Sequence, residues 1–169
     1  MKRVAMMTGV LAGLVGFLSV RGNNMSIQAN DNSTQAVLHR ATESDHWAEY
    51  QADSVKKNEA EAMAKIAPND KARDALLADA ESFGARQAPL KEKAAAEKAL
   101  GEQEMQNHDE KMKVRGLIDY AGMAAQIGIA LASISALTRK QFAYWIGMAA
   151  GFIAFIITGL ALLHPYLHH

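Results

Sequence analysis

Residues 117–137 (LIDYAGMAAQIGIALASISAL) and 142–163 (FAYWIGMAAGFIAFIITGLALL) are apolar runs of 21 and 22 positions, joined by the four residues TRKQ. At about 1.5 Å rise per residue each is ~32 Å long as a helix, enough to cross a hydrocarbon core. The second run carries no charge and the first only Asp119, near its start. The connection is too short to lead elsewhere, so the pair is expected to form a transmembrane helical hairpin. A third run, residues 4–20 (VAMMTGVLAGLVGFLSV), follows Lys2 and Arg3 and precedes Arg21. At ~26 Å it lies at the short end of the spanning range. A basic start before an apolar run also describes a signal peptide. The cleavage patterns on offer, Val20-Arg21-Gly22 and Ile27-Gln28-Ala29, are poor ones. Gly9 and Gly13 form a GxxxG, which suits close packing in a membrane. A retained anchor is therefore expected.

Between the first and second runs the pattern is polar and helix-forming. Residues 22–33 (GNNMSIQANDNS) hold four Asn, whose side chains compete for backbone groups, and predict a short irregular linker. Asp31 or Ser33 then caps a helix from about residue 34 to 66. Val37, Ala41, Ser44, Ala48, Ala52, Val55, Ala62 and Ile66 trace a narrow three-and-four stripe along it, coiled-coil-like in spacing. Ala67-Pro68-Asn69-Asp70 ends that helix and offers Asn69 or Asp70 as the next cap. From there the chain is again helix-forming, with Leu76, Phe83 and Leu90 seven apart on one face and Pro89 expected to kink or divide it. No Gly/Pro cluster separates Lys113 from Leu117, so this helix is expected to continue into the second apolar run.

These elements compose an all-α protein: three transmembrane helices with a long extramembrane antiparallel helical hairpin between the first and second spans. The segments are residues 1–21 (anchor), 22–116 (hairpin) and 117–169 (C-terminal pair of spans with a short polar tail). With a tip near residue 68, paired residue numbers in the hairpin add to about 137. That register sets Trp47 opposite Leu90 and Tyr50 opposite Gln87, with the indole packed beside Pro89.

Composition changes the picture little. Residues 21–116 carry 14 Lys/Arg and 17 Asp/Glu, so the zero net charge of the chain is an average over unlike parts. No basic field of the kind that binds nucleic acid is present. There is no cysteine, which excludes disulfides and thiolate metal sites. Lys2 and Arg3 outweigh Arg21 across the first run, and Arg139 and Lys140 fill the loop between the last two. By the positive-inside rule both are placed in the cytoplasm, with the hairpin and the His-Pro-Tyr-Leu-His-His tail outside.

Two blocks resemble a known family. Ser44-Asp45-His46-Trp47-Ala48-Glu49-Tyr50-Gln51-Ala52-Asp53-Ser54-Val55-Lys56 is similar to the SDxWAxYQAxSxK block of an uncharacterised bacterial membrane family, the domain of unknown function numbered forty-three thirty-seven. Residues 126–140, with Tyr144 and Trp145 after them, resemble its second block, and the Leu18-to-Gly22 exit from the first run is also similar. The resemblance implies three spans with a helical segment between the first and second, in the inner membrane of a bacterium, and it implies no activity.

Candidate residues are few. Trp47, Tyr50, Gln51 and Ser54 share one helical face, with Asp45 beside it, and read as helix packing or a binding surface with aromatic anchors. Asp119 sits at interface depth in the second run, where an acid is cheap. Gln126 lies nearer mid-membrane and suits an interhelical hydrogen bond. Ala124, Gly128, Ala132 and Ala136, facing Ala143, Gly147 and Gly151, are small residues every four and predict close approach of the last two spans. His39 and His46, seven apart beside acids, read as part of a charged solvated face. His164, His168 and His169 lack an accompanying carboxylate and read as an interfacial tail.

No nucleophile–base set, P-loop or metal motif occurs, so neither enzyme activity nor a cofactor is expected. The expected role is structural: a self-associating stalk or an accessory subunit, with the lipid bilayer, further copies or other membrane subunits as partners. The alternative is transport or ion conduction through an oligomeric bundle using Gln126 and Asp119. Sequencing the N-terminus of the protein recovered from membranes is expected to return residues upstream of Val4; a start near Asn23 or Asn30 would remove the first span.

Overall fold

Only three prolines interrupt the chain, and none lies in the first 67 residues. The computed structural model describes residues 2–138 and 141–167. Within them it has three helices and no strand: α1 (Lys2–Ala64, 63 residues), α2 (Asp70–Thr138, 69 residues) and α3 (Gln141–Leu167, 27 residues). All three contain a stretch long and apolar enough to cross a membrane. Arg139, Lys140, His168 and His169 lie outside the described residues, as does the His164 side chain.

The expected linker at 22–33 is helix, and neither Asp31 nor Ser33 starts a new element. Packing overrides the asparagines. Met25 and Ala29 are buried, and a Cβ at Gly22 would stand 3.4 Å from the Ile118 side chain, so this turn lies hard against α2. The Ser26 hydroxyl donates to the Gly22 carbonyl at 2.9 Å, which spends the side chain inside the helix rather than against it.

α1 ends where Pro68 requires it. Lys65 and Ile66 close the last turn onto the carbonyls of Ala62 and Met63 at 3.2 and 3.1 Å. Asn69 then caps α2, its Oδ1 accepting from the Ala72 amide at 2.8 Å, and Arg73 pairs with Asp70 at 3.1 Å. α2 is not divided at Pro89. Ala85, whose carbonyl loses its usual donor, and Pro89 itself are both exposed, so water can serve the freed group. α2 also runs without interruption through residues 113–117 into its apolar part.

Two compact units result. Unit 1 comprises Met1–Asp31 with Asn107–His169, and unit 2 comprises Asn32–Gln106. Unit 1 is built on leucines of α1. Leu18 and Met25 cluster with Val114, Ile118, Ala121 and Ala161, while Leu11 clusters with Ala125 and Ala154. The glycine contact between α2 and α3 is as expected: a Cβ at Gly147 would stand 3.1 Å from the Gly128 carbonyl, and one at Gly128 3.1 Å from the Gly147 carbonyl. The same gap admits Leu11, whose side chain lies 2.9 Å from the Cβ position of Gly128 and 3.0 Å from that of Gly151. Ala132 is buried with them. The GxxxG of α1 packs on neither α2 nor α3, since Cβ atoms at Gly9 and Gly13 would meet nothing within 4 Å.

Unit 2 is a pair of antiparallel helices. His39 meets Glu97, Asp53 meets Arg86, and Lys57 lies over Gly84. Those pairs add to 136, 139 and 141 against the expected 137. Leu76 and Phe83 are half-buried and Leu90 is buried, and Lys56 of α1 lies over the Phe83 ring. The α1 stripe from Val37 to Ile66 does not turn inward: all eight of its residues are exposed. The inward face is set instead by Ala36, Asp53, Ala60 and Ala64, all buried, with half-buried residues between them at three-and-four spacing. Ala36 allows the closest approach, because a Cβ at Gly101 would lie 3.4 Å from its carbonyl.

Gly128→Leu is expected to lower the stability of unit 1 by about 2–3 kcal/mol, since the added side chain competes with Leu11 and the α3 backbone for one gap. Thermal unfolding in detergent checks it. Gly159→Leu, at a position of α3 where a Cβ meets nothing within 4 Å, serves as the neutral comparison.

Candidate functional site

The inward face of unit 2 is polar where a helix pair is ordinarily apolar. From Ala36 to Ala64 it carries His39, Glu43, His46, Tyr50, Asp53 and Lys57 at buried or half-buried positions. Each falls on one of two seven-residue series, 39-46-53-60 and 36-43-50-57-64. Two of these positions are answered across the seam by charge. His39 and the Glu97 carboxylate are 2.7 Å apart through Nδ1, a geometry in which Nδ1–H donates to Oε2. Arg86 reaches Asp53 Oδ1 at 3.3 Å, and its guanidinium lies 4.9 Å from the centroid of Phe83. Lys56 approaches the same ring at 5.7 Å.

Asp53 is the most consequential of these. Its side chain is only 4% exposed, whereas that of Arg86 is 51% exposed. Asp53 Oδ2 and the neighbouring Gln87 Nε2 are both buried without a protein partner. One is an acceptor and the other a donor, the kinds of buried group that ordered water serves. Such a layer adds little net stability, because desolvating a carboxylate offsets most of what its partner returns. It does penalise any slip of the two helices, which would bury Asp53 against a position with no cation.

The family-like block is distributed around α1 rather than gathered. Trp47 is 36% exposed rather than enclosed beside Pro89, whereas Leu90, its expected partner, is buried at 6%. The error is one position: His46, not Trp47, lies in the inward series. Trp47 stacks edge-on against Tyr50 at 5.5 Å, an i,i+3 contact along its own helix. Tyr50 and Ser54 are half-buried, while Asp45 and Gln51 are exposed. The block therefore supplies both an inward contact and an outward surface, and the pairs that join the helices are Asp53 with Arg86 and Glu97 with His39, which is half-buried in the seam rather than on a solvated face. Only the seven-residue spacing of His39, His46 and Asp53 could have revealed them.

In unit 1 Asp119 is exposed and pairs with Arg115 one turn away at 3.7 Å. Gln126 is exposed rather than turned to α1 or α3, and so is Ser133, whose hydroxyl donates to the Ile129 carbonyl at 2.9 Å. Asp119, Gln126 and Ser133 are seven apart and mark one outward line of α2. A groove of ≈ 610 Å³ lies between the first turns of α1 and α3, lined by Met6, Val10, Tyr144, Trp145 and Phe152 with Arg3. It offers carbon surface without a nucleophile or general base. Among the described residues no group of three His, Asp or Glu is placed to hold a metal ion.

Helices paired through their side chains, each with an apolar stretch of membrane-crossing length, define an all-helical protein with three candidate spans. The chain belongs to the family described as a domain of unknown function (DUF4337), which matches residues 1–164. Neither the curated proteins nor the solved structures contain a match.

Because Arg86 can relax into water and Asp53 cannot, the two halves of their pair are expected to respond unequally. Arg86→Leu should destabilise unit 2 by roughly 2 kcal/mol, a figure discounted for the exposure of the arginine, while Asp53→Leu should be near neutral. Chemical denaturation of the two variants, followed by helical circular dichroism, checks the order; equal losses would show a conventional exposed ion pair.

Proposed function

We propose that this protein is a structural membrane component: a self-associating stalk or an accessory subunit of a larger assembly, without catalytic activity or cofactor. In this reading α1, α2 and α3 cross the inner membrane of a bacterium. Unit 2 stands outside the bilayer as a helical hairpin, on the periplasmic side if Lys2 and Arg3 fix the N-terminus in the cytoplasm.

The observation that carries the reading is the exposed position of Gln126 within an apolar run. A primary amide facing lipid leaves two donors and an acceptor unserved, and neighbouring helices are the usual remedy. Asp119 and Ser133 stand on the same line, so a helix covering Gln126 would meet all three. The second reading uses the same line differently. If copies gather with Asp119, Gln126 and Ser133 inward, they line an axial polar path, and the assembly conducts ions or protons.

Gln126→Leu is expected to weaken assembly about tenfold, the equivalent of one interhelical amide bond of roughly 1–2 kcal/mol. Sedimentation in detergent across a range of protein-to-detergent ratios reads it directly. Unchanged association would remove the main support for the structural reading. Ion flux into liposomes, present in the native chain and lost in Gln126→Leu, would select conduction instead. A stoichiometric foreign protein recovered with the native chain would select the accessory subunit.

A further inference from the structure

The outward face of α1 in unit 2 is as unusual as its inward one. On the side opposite the seam, Val37, Ala41, Ala48, Val55 and Ala62 follow each other at three-and-four spacing, interleaved only with uncharged Ser44, Gln51 and Asn58. All eight are exposed, and none is charged. The equivalent outward face of α2 is ordinary: Glu81, Glu92 and Glu102 recur along it among alanines. On α1 the seam takes Glu43, Asp53 and Lys57, the remaining charges flank this stripe, and the stripe itself is left to small uncharged side chains. A helix facing only water would be expected to do the reverse.

We infer that this face of α1 is an interface between two copies of the chain, with their α1 helices side by side and parallel. The inference rests on the self-association reading above and adds to the Gln126 line of α2 a second surface, on α1. Three features select a second copy. The spacing repeats every seven residues, as a helix lying along another helix requires. The same seven-residue frame, followed back along α1, falls on Gly9, Gly13 and Gly16, where a Cβ would meet nothing within 4 Å. A partner matching that sequence must change from glycine-rich and apolar to alanine-rich and polar at the same point along its length, as α1 of a second copy does. Charge also fits. In parallel helices the residues flanking the stripe meet their counterparts five positions on. Arg40 then faces Asp45 of the other copy, and Trp47 faces Ala52, with no like charges opposed. The partly exposed indole gains the cover that its own chain does not give it.

The absence of cysteine makes the test direct. Single substitutions Ala41→Cys, Ala48→Cys and Val55→Cys are placed in the full chain in membranes, with Lys56→Cys on the flank of α1 and Ala88→Cys and Ala95→Cys on the outward face of α2 for comparison. Mild oxidation is expected to link the first three to themselves about tenfold faster than the others, because an interface holds matched positions within disulfide reach at high effective concentration. Equal rates at all six sites overturn the inference. So does preferential linking of Ala41→Cys to Asn58→Cys in mixed, differently tagged copies, which marks an antiparallel arrangement. If the native chain sediments as a homo-oligomer while the α1 sites fail to link, the interface is elsewhere and self-association stands. If it sediments as a monomer and the sites fail to link, both readings fall.

Discussion

The fold depends on one constraint: α1 and α2 must present a face to each other every three and four residues over most of their length. Because an α-helix repeats at 3.6 and the contact at 3.5, a seam of this kind holds only when the helices wind slightly about each other. In unit 1 the constraint is met by Leu11, Leu18 and Met25 entering spaces left by alanines and glycines. In unit 2 it is met by His39 against Glu97 and Asp53 against Arg86, with Tyr50 half-buried on the same face. The spacing is shared; the chemistry is not.

That difference follows from what each environment rewards. Where residues are uniformly apolar, affinity between helices comes from close packing, and the Gly128–Gly147 approach supplies it. In unit 2 few large apolar residues are available, and buried polar pairs penalise misalignment more than they stabilise alignment. The Asp53 layer, with one oxygen on Arg86 and the other unserved, is a register device of this kind. The seam of unit 2 thus buries little apolar surface, which is why an additional partner on the outward face of α1 is physically economical.

Much of the architecture was legible in the sequence because it rests on strong local signals. The three apolar runs, the break at Pro68, the cap at Asn69 and the small-residue contact of Gly128 with Gly147 each depend on a few neighbouring residues. The antiparallel register was legible too, since the tip and the helical rise fix it to within a few positions. What failed depended on competition between faces. The asparagines of 22–33 argue for a linker by propensity, but Ala29 is buried and Met25 is buried in the cluster with Val114 and Ile118, which keeps the helix whole. The Val37–Ile66 stripe argues for the inward face by hydrophobicity, yet the seam takes the charged series beside it. A single-helix pattern cannot say which of two similar stripes its nearest neighbour will take. The same one-position ambiguity moved Trp47 from the seam to its edge.

The central claim is that packing on α2 makes α1 one continuous helix through residues 22–33, so that the seam keeps its seven-residue frame. Amide hydrogen exchange of the protein in its membrane environment tests this most directly. Peptides covering residues 24–33 should exchange slowly, on the scale of those covering 36–53, and far more slowly than those covering the turn at 65–69. Rapid exchange confined to residues 24–33, with protection on both sides, would show a flexible linker and contradict the account.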